Sequence, residues 1–177
     1  PNTERLRDFH DQEKLEDLLL ALNKIKSENK INIPLLLKIS PDIKDNHISE
    51  IADTAIKNDI SGIILTNTTN SNKDKLISDF KKEEGGLSGE PLQQISTNMI
   101  KKFYKQLNGK IPIIGVGGVN SGKSAYEKII AGASLLQLYT GLVYKGPSIV
   151  KNIKKELIQI LKVEGLNNIK DAIGKNL

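Results

Sequence analysis

Apolar positions along the chain recur at two spacings, and their alternation sets out most of its architecture. Between residues 11 and 30, Leu15, Leu18, Leu19, Leu22 and Ile25 fall three and four apart and form one apolar stripe on a helix. After Pro34 comes the short run Leu35-Leu36-Leu37-Lys38-Ile39-Ser40, closed by Pro41, which predicts a strand buried on both faces. Behind Asp45, a predicted N-cap, Ile48, Ile51, Ala52, Ala55 and Ile56 return to helical spacing until Asp59 and Gly62. Ile63-Ile64-Leu65-Thr66 predicts a second buried strand.

The next stretch, residues 67 to 90, has little periodicity, many lysines, and the glycines Gly85, Gly86 and Gly89. Loops of this length in compact domains are usually functional or disordered. Pro91 predicts the first residue of a helix whose inner face is Leu92, Ile95, Met99, Phe103 and Leu107, with Gly109 just past its end. Residues 112 to 116 predict a third strand that runs into Gly117-Gly118, followed by a short helix marked by Ala125, Ile129 and Ile130. Residues 135 to 139 predict a fourth strand, ending at Thr140. Beyond Gly146-Pro147, a longer helix turns Ile149, Val150, Ile153, Leu157, Ile160 and Leu161 inward, and a final turn surrounds Ile169, Ala172 and Ile173.

Four strand-helix units in series predict an α/β fold with a parallel sheet, either doubly wound or part of an eight-stranded barrel. Residues capable of chemistry sit at the C-terminal ends of all four strands, and a tight Gly-Gly turn follows the third; both favour the barrel. Four units make half of a TIM (β/α)8 barrel, so the first and last strands become open edges without the other half. We read residues 1–177 as one domain, the C-terminal part of a barrel whose N-terminal half is absent. The opening Pro1-Asn2-Thr3, with no Met, reads as a segment from inside a longer protein.

Composition narrows the chemistry. With 38% hydrophobic and 27% charged residues the chain has an ordinary globular balance. It has no cysteine, and His10 and His47 lack a metal-ligand spacing, so neither disulfides nor a metal site is expected. No apolar run approaches the roughly 20 residues of a spanning helix. The net charge of +5 comes from lysines that alternate with Asp and Glu, with neither an aromatic platform nor an arginine cluster, so no nucleic-acid partner is expected.

Lys38 interrupts an apolar strand, so its ammonium either leans out to water or meets an anion. Gly115-Val116-Gly117-Gly118 lets backbone N–H groups approach a phosphate, although turn-forming glycines with no ligand are a common alternative. In a barrel the neighbouring strand end, Leu138-Tyr139-Thr140-Gly141, adds amides and a hydroxyl, or simply terminates the strand. Thr66-Asn67-Thr68-Thr69 offers an amide that both donates and accepts, suited to a planar polar ligand, or else forms a capped turn. Gly85-Gly86-Leu87-Ser88-Gly89 returns the long loop and permits close backbone approach. All these features fall at one end of consecutive strands, which points to a phosphate-bearing cofactor lying across that face.

Taken together, Leu37-Lys38-Ile39-Ser40-Pro41-Asp42, Thr66-Asn67-Thr68-Thr69, Gly85 to Gly89, Ile113 to Val119, Ala131 to Leu135 and the tail Asp171-Ala172-Ile173-Gly174 resemble the dihydroorotate dehydrogenase family over the whole chain. The resemblance implies an FMN-binding barrel that oxidises dihydroorotate to orotate in pyrimidine synthesis. Lys38 matches the lysine beside the N1 and O2 side of the flavin ring, where a positive charge favours the reduced anion. Thr66 matches a flavin contact; Gly89, Gly118, Tyr139 and Thr140 match positions around the flavin, chiefly its phosphate, with Gly117 and Ser88 adjacent. Asn67, Thr68 and Asn2 match orotate-binding positions.

In the family the catalytic base is a serine immediately before the proline that matches Pro1, so the resemblance implies an isolated chain without turnover. General-base catalysis is typically worth about 10²–10⁴-fold. The segment from Gly141 to Pro147 and the C-terminal tail look like the quinone-using class, in which quinone and membrane engage an N-terminal region missing here. That class implies peripheral association with the cytoplasmic face of a bacterial inner membrane or with a mitochondrial inner membrane. Two other readings are another FMN barrel, such as dihydropyrimidine dehydrogenase, and a non-catalytic phosphate-binding module.

Overall fold

The structure, a computed structural model, describes residues 8–9, 11–71 and 73–177. Pro1, Asn2 and Thr3 lie outside the described residues, and with them the predicted substrate contact at Asn2. Helix α1 (Gln12–Glu28) leads into β1 (Leu36–Ile39), α2 (Asn46–Lys57), β2 (Gly62–Leu65), α3 (Gln93–Leu107), β3 (Ile113–Val116), α4 (Gly122–Ile130), β4 (Leu135–Gln137), α5 (Thr140–Lys145) and α6 (Ser148–Val163). The strands form one parallel sheet in the order β1-β2-β3-β4, the four strand-helix units predicted from the pattern.

Register decides which side chains share a face. Lys38 pairs with Ile64, Ile64 with Ile114, and Ile114 with Leu135, so these four project to one side of the pleat. Leu37, Ile39, Ile63, Leu65 and Ile113 project to the other, where they join Ile51, Ala52, Ala55, Ile100, Phe103 and Leu107 of α2 and α3 in the main core. Phe103 is fully buried there, a burial worth up to about 3 kcal/mol. A smaller cluster of Val119, Ala125, Ile149 and Ile153 joins α4 to α6.

Several details depart from the sequence expectation, among them Val150 of α6, which is exposed rather than turned inward. β1 is not buried on both faces: Ile39 is covered, whereas Leu36 and Lys38 are exposed, because nothing among the described residues covers the inner side of this outermost strand. Pro91 lies in a 3-10 turn, Glu90–Leu92, so α3 begins two residues later. Asp45 stands at the start of α2 but makes no cap, its carboxylate instead pairing with Lys102 at 2.6 Å. β4 ends at Gln137 rather than Tyr139, and α5 was not anticipated; Gly141 admits it, since a Cβ there would stand 2.7 Å from the Val119 carbonyl.

Other local signals behave as their chemistry requires. Asp11 caps α1 by accepting from Lys14 N at 3.3 Å, and Ser121 with Ser124 forms a capping box on α4. Of the stripe predicted on α1, Leu15 and Leu19 are buried but Leu18 and Ile25 stay exposed. At the sheet's two margins Leu36 is 43% and Leu135 63% exposed, so both outer strands remain open.

Candidate functional site

A cleft of about 910 Å³ lies across the C-terminal ends of the four strands. Every predicted cofactor and substrate residue within the described part of the chain lines it: Lys38 from β1, Thr66, Asn67 and Thr68 beyond β2, Ser88 and Gly89 from the long loop, Gly117 and Gly118 beyond β3, and Tyr139 and Thr140 beyond β4.

The strand ends are stitched together at its floor. Thr66 donates its amide to the Val116 carbonyl at 3.1 Å, and Asn67 donates to Ile39 at 2.8 Å, so the chain leaving β2 is tied to both neighbouring strands. The Asn67 side-chain oxygen accepts from Thr68 N at 2.9 Å, which orients the amide group. Asp42, beyond β1, takes the hydroxyl of Thr69, the amide of Asn70 at 2.9 Å and the hydroxyl of Ser71 at 3.1 Å. Thr69 and Leu87 then exchange backbone hydrogen bonds of 3.1 and 2.7 Å, closing the long loop at its base.

The phosphate-like end has a donor set without acceptors. Gly117 and Gly118 are buried, yet among the described residues neither their amides nor that of Tyr139 donates to a protein acceptor. Buried N–H groups are nearly always paired, so the two glycine amides fit an anion lying in the cleft. The glycines also answer a packing demand: both have positive φ, +115° and +71°, and a Cβ on Gly118 would stand 2.4 Å from Gln93 Cβ. The same two residues thus combine the tight turn with amides open to the cleft.

Sequence reasoning missed several parts of the site. Lys145, at the end of α5, lines the cleft and donates to the Asn120 carbonyl at 2.9 Å; Glu90, Asn120, Gln137 and Tyr144 line it as well. Behind the floor, Lys128 of α4 is fully buried and donates to Gln93 O at 3.3 Å, Ser96 Oγ at 3.0 Å and Thr97 Oγ1 at 3.1 Å. Burial pushes its ammonium down to a pKa of about 7, against the opposing pull of Glu127. A single lysine on a short amphipathic helix gave no hint of this in the sequence, because its partners lie more than 30 residues away.

The cleft of this half barrel runs from the acceptor-less amides beyond β3 and β4 to the polar side chains of Lys38, Asn67 and Thr68 at the ends of β1 and β2. The family model described as dihydroorotate dehydrogenase matches residues 1–161, and the chain belongs to that family. It is 43% identical over its whole length to half of the dihydroorotate dehydrogenase (quinone) of Bartonella tribocorum. Over 98% of its length it is 42% identical to the mitochondrial dihydroorotate dehydrogenase (quinone) of Arabidopsis thaliana, covering 39% of that protein. The crystal structure of ligand-free dihydroorotate dehydrogenase from Eimeria tenella matches 99% of the chain with a TM-score of 0.90 and 35% identity, over 53% of the Eimeria chain. The chain thus spans about half or less of the length of these relatives.

Proposed function

We propose that this chain forms the flavin-binding half of a quinone-dependent dihydroorotate dehydrogenase, completed by four further strand-helix units. The observation that carries the reading is the convergence of one exposed cation, Lys38, and the acceptor-less amides of Gly117, Gly118 and Tyr139 on a single cleft. The cleft has the size usual for cofactor sites. FMN fits this donor set: Gly117, Gly118, Tyr139 and Thr140 would hold the phosphate, with Ser88 and Gly89 beside them, and Thr66 and Lys38 would meet the ring. Bound FMN would accept the two electrons lost by dihydroorotate as orotate forms, and a quinone would take them up as quinol.

Asn67 and Thr68 would hold the orotate ring, with Asn2 as a further contact. Lys38 would place positive charge where the ring system gains electrons. The base is expected from a serine just before Pro1, so this segment alone would bind without turning over. Quinone would engage the upstream region, which would also carry peripheral association with a bacterial inner membrane, on its cytoplasmic face, or with a mitochondrial inner membrane. Among the described residues no helix is long and apolar enough to cross a membrane.

The relatives reported above bear the dihydroorotate dehydrogenase name, which favours this reading over dihydropyrimidine dehydrogenase. Co-expression with an upstream half ending in Ser tests it directly, by flavin absorbance and orotate formation. Both are expected. Flavin without orotate points to a binding module, and neither signal refutes the reading.

A further inference from the structure

We propose that Lys128 is a positioning residue that, through Ser96, aims the Gly117 amide into the cleft and so sets affinity for the phosphate end of the cofactor. The inference rests on the proposed flavin site.

The relay follows from donor and acceptor identities. Lys128 donates to Ser96 Oγ at 3.0 Å, which occupies an oxygen lone pair and leaves the serine proton to go elsewhere. That proton goes to the carbonyl of Val116, with the Leu65 carbonyl as a weaker second acceptor at 3.3 Å. Val116 C=O and Gly117 N–H belong to one peptide plane, and the only cis bond among the described residues is Leu65-Thr66. In a trans peptide the N–H points opposite to the C=O. Ser96 and the Thr66 amide together hold that carbonyl on the side of α3 and β2, so the Gly117 amide faces the opposite way, into the cleft that Gly117 lines.

Two further contacts brace the same turn. Lys128 donates to the Gln93 carbonyl at 3.3 Å, and the Gln93 side chain donates to Glu127 at 2.6 Å, so α4 grips the first turn of α3 from two adjacent residues. Gln93 in turn packs against Gly118, where an added Cβ would stand 2.8 Å from Gln93 Cα, and Ser96 Cβ lies 3.1 Å from a Cβ built on Gly117. Lys128 has no route to the cleft itself and does not line it. Its hydrogen bonds go to the first turns of α3, to the Gln93 carbonyl and the hydroxyls of Ser96 and Thr97, and reach the cleft backbone only through Ser96.

The test compares FMN with riboflavin, which lacks the phosphate, on the reconstituted barrel carrying Lys128→Met. Met keeps the apolar stem and removes the donors. FMN affinity is expected to fall about tenfold, the scale of one buried hydrogen-bond relay, while riboflavin affinity stays as in the parent. Ser96→Ala should reproduce the loss, and the double variant should add nothing to it. Equal losses for both ligands, or no loss for either, overturn the proposal, the first marking a general structural role. If the Met variant does not accumulate, Ser96→Ala alone carries the test, and an FMN-to-riboflavin preference lowered about tenfold is expected; an unchanged preference overturns the proposal. A parent protein that binds neither ligand instead refutes the underlying flavin reading.

Discussion

The hydroxyls of Ser88 and Thr140 stand 2.9 Å apart although 52 residues separate them in sequence. This contact joins the returning end of the long loop to the first residue of α5 and brings Gly89 against Thr140, where a Cβ on Gly89 would stand 3.0 Å from the threonine methyl. Gly89 holds φ of +81°, which an L side chain adopts only with strain. Gly89→Ala is therefore expected to cost about 1–3 kcal/mol in stability and to weaken FMN, measured by thermal melting and flavin fluorescence titration. An alanine variant with parent-like Tm and affinity would remove the close packing from the account.

Lys38 gives a contrasting expectation, because its side chain is exposed and makes no hydrogen bond or ion pair among the described residues. Lys38→Met should leave the unfolding free energy within about 0.5 kcal/mol of the parent's, read by denaturant melts. The bound flavin, however, should become harder to reduce, read as a lower midpoint potential. A potential unmoved by the substitution would return Lys38 to a solvent-facing role.

Lys128 predicts a pH dependence whose sign follows from its lowered pKa, about 7 against an ordinary 10.5. Between those values the unfolded chain binds a proton that the folded chain does not, so stability rises with pH across that window. Below about 7 both states are protonated and the full penalty of a buried charge applies. Denaturant melts of the parent and of Lys128→Met from pH 6 to pH 10 should diverge in the parent's favour as pH rises. Parallel curves would place the lysine's pKa near its ordinary value.

Asp42 anchors the start of the long loop through Thr69, Asn70 and Ser71. Asp42→Ala should loosen residues 71 to 86 while leaving the sheet intact, seen as faster proteolysis confined to that segment. Cleavage at the parent's rate would show that the Thr69–Leu87 pairing alone closes the loop.

Much of this architecture was legible because buried strands and amphipathic helices leave short, distinct spacings. Thr66, Gly117 and Thr140 could be placed on one face from topology alone, since parallel strands bring their C-terminal ends together. Lys38 stood out as a charge in an apolar run. Other parts carried no such mark. α5 depends on Gly141 fitting against the Val119 carbonyl, a tertiary contact with no periodicity of its own. Ser96 and Lys128 look like ordinary polar helix positions, and only the packing of α3 on α4 reveals that they meet beneath the cleft floor. The exposure of Leu36 was hidden because an apolar run reads the same whether or not a neighbouring strand covers it.

The central claim is that this cleft holds FMN for the oxidation of dihydroorotate. Its most direct test is the visible absorbance of FMN bound to the reconstituted barrel, recorded without oxygen before and after dihydroorotate is added. The account predicts loss of the yellow band on addition and its return with a soluble quinone. A bound flavin whose spectrum dihydroorotate leaves unchanged would contradict it.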